Sequence, residues 1–445
     1  MRIPVLALLL SLTAARPALA TQLAPAIPDT PVGHVLQAWL DAFNSGDHAR
    51  IDVYCKKYEH PNPPERMTAF ARQVGGFDLV AIGASEPRRI SFQVKEKKSS
   101  TIAVGKLALT DGESARIADF SLRAIPPGMR PEDLDIKVDA ALRARVLDGI
   151  AAKLTEFYVY PEVAKKMIDA MRAHQKKGEY DAVTDGDALA LRLTRDLRAV
   201  SHDGHLRIFT SPEALPQQDP GDDDPPTPAD RVFMERANCG FDRIEHLPHN
   251  IGYVKFNFFG APAVCGPIAT AAMGFVANVD ALVFDLRENG GGDPDMVSYV
   301  VSYLFANRTH VNDLWERKTN KTTEYWTKPE LPGKKIVDKP VYVLTSKATF
   351  SGGEEFTYDL KSLKRATIVG ETTGGGAHPT AAKRLDDHFG IGVPTGRPIN
   401  PVTKKDWEGT GVEPDVKVPA DRALDKALEL ARARLDGAHP QPPRR

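Results

Sequence analysis

Residues 340–379 read PVYVLTSKATFSGGEEFTYDLKSLKRATIVGETTGGGAHP. Val341, Tyr342, Val343 and Leu344 form a short β-branched and aromatic run, the signature of a buried strand. After a turn comes Ser351-Gly352-Gly353. From Glu354 to Leu363 the apolar residues Phe356, Leu360 and Leu363 then recur at helical spacing. Ala366–Val369 is a second apolar strand, and Gly374–Gly376 closes it with a loop.

A serine at a strand-to-helix turn is where a nucleophile sits. Unpaired N–H groups and the partial positive charge of the helix start stabilise a developing anion there. Glycines let a reacting carbonyl approach the backbone closely. The plain alternative is a capping box, because Ser351-x-x-Glu354 also starts helices that do no chemistry.

The chain has 445 residues, 42% of them apolar, and a formal net charge of −1. That length allows two or three domains, and the charge points to neither nucleic acid nor an anionic membrane surface. Met1–Ala20 reads as an export signal, with Arg2, an apolar Val5–Leu12 and a small-x-small cleavage site at Ala18-Leu19-Ala20. Cleavage near Ala20 and a periplasmic or secreted location follow as expectations. No later stretch is long and apolar enough to span a bilayer. For the cysteines two readings stand: a Cys239–Cys265 disulfide with Cys55 left over, or three buried thiols.

Residues 21–125 read as an accessory domain. Val35, Leu36, Trp39, Leu40 and Phe43 share a helical face that ends at Asn44-Ser45-Gly46. Two further helices follow, and then four strand patterns between Phe77 and Leu122, giving an α+β cone. Ala124–Gly128 is a proline-glycine linker. Residues 131–210 form a helical subdomain ending in Ser201-His202-Asp203-Gly204-His205-Leu206, and 211–230 is a flexible linker rich in Pro, Asp and Gln. Residues 231–436 alternate strands with helices, the pattern of an α/β catalytic domain with a largely parallel sheet. Here Ala281–Arg287 is a buried strand running into Glu288-Asn289-Gly290-Gly291-Gly292, and Asp293-Pro294 starts a helix. Thr309–Lys328 reads as a surface hairpin near a cleft, and residues 437–445 as a disordered tail.

Three stretches, DLRENGGG (Asp285–Gly292), TFSGGEEF (Thr349–Phe356) and GETTGGG (Gly370–Gly376), resemble in order and spacing the core of the tail-specific, or C-terminal processing, serine peptidase family. The resemblance covers roughly Val138–Val418. It implies an α/β peptidase core of crotonase-like parallel-sheet architecture, a peptide or protein substrate and no cofactor. The family's nucleophile falls on Ser351, and its oxyanion hole on the N–H groups of Gly291 and Gly352. The base lysine of the processing proteases is absent from Gly374-Gly375-Gly376-Ala377, and residues 207–250 are too short and proline-rich for their PDZ domain. The chain is more similar to the branch holding the tricorn protease core and the repeats of interphotoreceptor retinoid-binding protein. That similarity implies His205 as base and Glu408 as the acid that orients it. The start of the accessory domain, VLQAWLDAFNSGDHARI, resembles nuclear-transport-factor-2-like domains, which implies a small ligand or partner; a passive accessory domain is the alternative.

The chemistry is coherent on its own terms. A serine hydroxyl needs a base within hydrogen-bond reach, neutral imidazole suits the task, and a carboxylate fixes its tautomer. The rival base is His202, and Glu371 and Glu413 compete with Glu408. His202 with His205, and His246 with His249, lack the further ligands of a metal site, so no metal is expected. The retinoid-binding relatives imply a second reading, a lipid or hydrophobic-ligand binder with a vestigial site.

Overall fold

In the computed structural model residues 25–60, 64–110, 112, 115–219 and 224–438 are described. The expected export signal, Met1–Ala20, and residues 439–445 of the expected tail lie outside them.

The front domain starts on α1 (Pro31–Ser45), where the Thr30 hydroxyl caps the Gly33 N–H at 3.1 Å and Gly46 ends the helix in the left-handed region. The helices α2 (His48–Tyr58) and α3 (Pro64–Val74) follow. They pack on an antiparallel meander of β1 (Phe77–Glu86), β2 (Arg89–Glu96), β3 (Ile102–Leu109) and β4 (Ile117–Ala124). All five apolar residues read from one face of α1 are buried, and Trp39 stacks among Phe43, Phe77, Phe92 and Phe120.

The helical subdomain holds α4 (Ala140–Phe157), α5 (Pro161–Lys176) and α6 (Gly186–Ser201), closed by the short strand β5 (Arg207–Thr210). Leu189, Leu193 and Leu197 of α6 are buried, as their spacing requires. Salt bridges join the subdomain to the front domain: Lys106 lies 2.9 Å from Asp135 and 2.8 Å from Asp185, and Arg123 lies 2.6 Å from Asp187.

Residues 211–219 of the segment read as a linker are tied down. Ser211 N–H donates to His388 O, Leu215 N–H to Asp387 O, and Asp219 accepts from the Arg384 N–H and from Lys153. The last residues of that segment, Pro228–Asp230, instead open α7 (Pro228–Arg236), nucleated by the Thr227–Asp230 capping box. Polar composition marks exposure, and it carries no information about backbone anchoring to a distant strand.

The α/β domain follows as β6 (Phe241–Leu247), β7 (Ile251–Phe256), α8 (Pro262–Phe275), β8 (Ala281–Asp285), α9 (Pro294–Ser302), β9 (His310–Glu316), β10 (Lys321–Trp326), β11 (Val341–Thr345), α10 (Gly352–Ser362) and β12 (Thr367–Gly370). It ends with β13 (Thr380–Arg384), β14 (Phe389–Pro394), β15 (Gly396–Pro398), β16 (Val416–Lys417) and α11 (Ala423–Ala438). A six-stranded sheet of order β16-β12-β11-β8-β7-β6 is parallel except for the β6–β7 pair. Every residue of β8 and β11 is buried, as expected for parallel strands covered on both faces. One face packs α8, α9 and α10 around Phe284, Phe356 and Leu360, and the other packs α11 through Ala423, Ala427 and Ala431. The hairpin β9–β10 pairs through β9 with β15, and Val311 and Asn312 are buried, so its first strand is not a surface element. A three-stranded sheet, β13-β14-β5, joins the α/β domain to the helical subdomain. Cys239 and Cys265 form a disulfide, and Cys55 is buried with its thiol 3.4 Å from the Met67 sulfur.

Candidate active site

Parallel strands direct their C-terminal ends to one edge of the sheet, and ligands bind in the crevice there. At that edge β8 runs into the 286–293 loop and β11 into the turn that carries Ser351. Asp285, at the end of β8, is fully buried and holds Arg287 and the Tyr253 hydroxyl (2.6 Å), so these two charged residues brace the strand end. Thr349 Oγ1 donates to Leu286 O at 2.7 Å, and Phe350 N–H to Asn289 O at 3.0 Å, which lace the two loops together.

Ser351 has φ 53° and ψ −124°, a conformation L-residues rarely adopt, and α10 starts at the next residue. Such an outlier costs about 1–3 kcal/mol and persists only when its surroundings impose it. The buried carboxylate of Glu354 is one such constraint. It accepts the Ser351 N–H at 3.0 Å, the N–H groups of Gly375 (2.7 Å) and Gly376 (2.8 Å), and the Thr373 hydroxyl. Burial pushes its pKa up to about 7 against those four donors. Glu354 thus caps the helix as the sequence suggests and also ties the serine turn to the glycine loop.

Gly291 (φ 99°) lies against the serine: a Cβ there would stand 2.5 Å from Ser351 Cβ and 2.7 Å from Gly352 N. Its N–H, however, donates to Asn289 Oδ1 at 2.9 Å. Gly292 lies 3.1 Å, through its nitrogen, from the Cβ position of Gly352, and Phe259 brackets it with bonds to Gly291 O and from Asp293 N–H, neither of which uses the Gly292 N–H.

His205 packs its ring on Phe350, the residue before Ser351, with centroids 4.7 Å apart. Its Cε1 is 2.8 Å from the Cβ position of Gly376. Burial pushes its pKa down to about 4. Its Nδ1 is buried without a hydrogen-bond partner. His202, the rival, is an exposed left-handed C-cap of α6 and stands apart from this cluster.

Glu408 does not hydrogen-bond His205. Its Oε2 accepts the Ala377 N–H at 2.6 Å and lies 3.5 Å from His378 Nδ1, while its Oε1 is buried without a partner. His378 Nδ1 is bonded to Asp203 Oδ2 at 2.7 Å, and Asp203 Oδ1 accepts the His205 backbone N–H at 3.0 Å. The Tyr158 hydroxyl donates to the same Oδ2 at 3.2 Å. Sequence reasoning gave no role to Asp203 or His378. The only signals were their places in the quoted DGHL and GGGAHP stretches. Asp203, His378 and Glu408 bring one ligand atom each within 4.8 Å. The hydrogen bonds and charges already present among them account for the cluster.

From the front domain, the Arg66 guanidinium stands 5.8 Å over the Phe350 ring, and Arg72 lies 3.9 Å from Glu288. Helix α3 therefore reaches the rim of the same site.

Residues 250–418 match the model described as peptidase family S41, and residues 136–238 match the N-terminal domain of Peptidase_S41 in eukaryotic IRBP. Carboxyl-terminal-processing peptidase 2, chloroplastic, of Arabidopsis thaliana is 30% identical over 188 residues, 40% of this chain and 33% of that protein. The tricorn protease of Thermoplasma volcanium is 26% identical over 171 residues, 36% of this chain and 15% of that protein. The chain thus spans less than half the length of these curated relatives. Among solved structures, that of a putative peptidase from Parabacteroides merdae is 18% identical with a TM-score of 0.46, covering 65% of this chain and 96% of that one.

Proposed function

The chain belongs to peptidase family S41, and from that membership we propose that it is an exported serine peptidase acting through Ser351, His205 and Glu408. Ser351 Oγ attacks a peptide carbonyl carbon as His205 takes its proton. The tetrahedral intermediate collapses, His205 returns the proton to the leaving amine, and water hydrolyses the acyl-enzyme by the reverse sequence. The Gly352 N–H supplies one oxyanion donor. The second comes from the glycine loop: from Gly292, whose N–H is unclaimed, or from Gly291 once it turns away from Asn289. Each such donor is worth about 3–4 kcal/mol in the transition state.

The observation that carries the proposal is the strained Ser351 at the start of α10, with Gly291 against it and His205 packed on the adjacent Phe350. Glu408 enters the proposal by its place beside His378; its Oε1 and His205 Nδ1 are both buried and unpaired, an acceptor and a potential donor, and burial pushes the Glu408 pKa up. Export is supported by the pattern of residues 1–20 and by the Cys239–Cys265 disulfide, which suits an oxidising compartment. Among the described residues no helix is long and apolar enough to cross a membrane. The ligand-binder reading gains nothing from the core beneath the serine, which Phe259, Phe284 and Phe356 fill.

The test is labelling with a fluorophosphonate probe. The wild type should label, and Ser351→Ala and His205→Ala should each abolish it. Labelling that survives Ser351→Ala would overturn the assignment.

A further inference from the structure

His378 has no task in the mechanism above, yet it is among the most constrained side chains near the site. Its side chain and that of Asp203 are 2% and 1% exposed, and their 2.7 Å contact joins residues 175 apart in sequence. Asp203 and Tyr158 come from the helical subdomain. His378 and Glu408 come from loops of the catalytic domain. The contact therefore crosses the seam that also separates His205 from Ser351.

The two oxygens of Asp203 divide their work. Oδ1 accepts the backbone N–H of His205, and Oδ2 accepts from His378 Nδ1 and the Tyr158 hydroxyl. The His205 ring packs against Phe350 and Gly376, and its Nδ1 has no hydrogen-bond partner. Its place is therefore set from the main chain, and the main chain is anchored on Asp203. A buried carboxylate stripped of one partner turns toward whatever donors remain. Holding His378 in place thus holds the His205 anchor in register with the serine.

We propose that His378 is a positioning residue for His205, acting through Asp203 across the seam between the helical subdomain and the catalytic domain. This rests on the peptidase reading. The groups that face His378 are Asp203, Glu408, Asp406, Tyr158, Tyr160 and His205. Burial opposes charge on its imidazole, and the surrounding carboxylates outweigh burial, so its pKa is raised. The imidazolium and the neutral Nδ1–H tautomer both donate to Asp203.

The experiment uses full-length mature protein and the variants His378→Leu and His378→Asn. The asparagine amide reaches the position of Nδ1 and donates there; leucine does not. The first readout is the maximal rate of Ser351 phosphonylation and the apparent affinity for the fluorophosphonate, measured from pH 5 to 9. Misplacing a catalytic group by about 1 Å costs on the order of 10²-fold. His378→Leu should lose about that much in maximal rate with little change in affinity, and His378→Asn should recover most of it. The second readout is independent of reactivity: hydrogen exchange of the His205 amide, faster by at least about tenfold in His378→Leu and near wild type in His378→Asn. A wild type that never labels would sink the peptidase reading and leave the exchange arm to judge the link. Unchanged exchange at His205 in a folded His378→Leu protein would overturn the proposal, as would equal loss in both variants.

Discussion

The backbone N–H of Ser351 donates to Glu354 at 3.0 Å, and the same carboxylate gathers Gly375, Gly376 and Thr373. One buried acid three residues after the serine therefore fixes the turn before α10 and the glycine loop beside His205. Glu354→Gln puts an NH2 group opposite donors and leaves buried N–H groups unpaired, each costing about 1–3 kcal/mol. We expect a loss of about 3 kcal/mol or more in urea unfolding. Its pH signature has a definite sign. The folded pKa of about 7 lies above the ordinary 4.5, so between those values the folded state holds a proton that the unfolded chain has released. Stability contributed by this group falls as pH rises from about 4.5 to about 7 and is flat above. Glu355, raised to about 7 by burial, acts in the same sense. Glu354→Gln should therefore remove part of that slope, and an unaltered slope would show Glu354 ionised throughout.

The glycine contacts give a sharper steric test. At Gly376 a methyl group would meet Phe350 Cζ at 2.1 Å and His205 Cε1 at 2.8 Å. Overpacking of this kind costs about 1–3 kcal/mol, and here the groups that must yield are the proposed base and the ring it rests on. Gly376→Ala should stay folded while its fluorophosphonate labelling slows by about 10²-fold. Gly266, where a Cβ meets nothing within 4 Å, is the control: Gly266→Ala should label as the wild type does.

How far the site was legible in the sequence follows from how each residue is specified. Ser351, the glycine loop and His205 stand in local patterns, a strand end or helix end followed by turn residues, and the structure puts all of them at one edge of the sheet. The apolar faces of α1 and α6 were equally readable, because burial repeats at 3.6-residue spacing. Asp203 and His378 were not, since their meaning lies in a contact across 175 residues that no periodicity records. The short strands β5, β13 and β14 escaped for a related reason: at four to six residues each they join only by pairing with one another. Asn289, which takes the Gly291 N–H, reads in sequence as loop filler.

The pH dependence of labelling tests the proposed base directly. Burial pushes His205 down to about 4, so its imidazole is neutral and able to accept a proton across the range above. The acid limb of the labelling rate should fall near pH 4 to 5 rather than at the ordinary 6.5. The same shift links to stability. Between 6.5 and 4 the unfolded chain binds the proton first, so the stability this group contributes above 6.5 is lost as pH falls toward 4. A labelling limb centred near 6.5 would place the His205 ring in solvent.

The disulfide gives the last test, separating stability from chemistry. Cys265 lies in α8, and its Sγ would be 2.5 Å from a Cβ at Gly260. The bond to Cys239 thus buttresses the segment in which Phe259 hydrogen-bonds Gly291 O and the Asp293 N–H, both at 2.8 Å. Closing a loop across 26 residues stabilises the fold by about 3 kcal/mol, chiefly by restricting the unfolded chain. Cys239→Ala with Cys265→Ala should lower the urea midpoint accordingly. The Phe259 bonds belong to the main chain and survive the change, so labelling of the folded fraction should stay within about threefold of wild type. A much larger fall in labelling, with the midpoint unmoved, would mean that the disulfide shapes the proposed oxyanion loop itself.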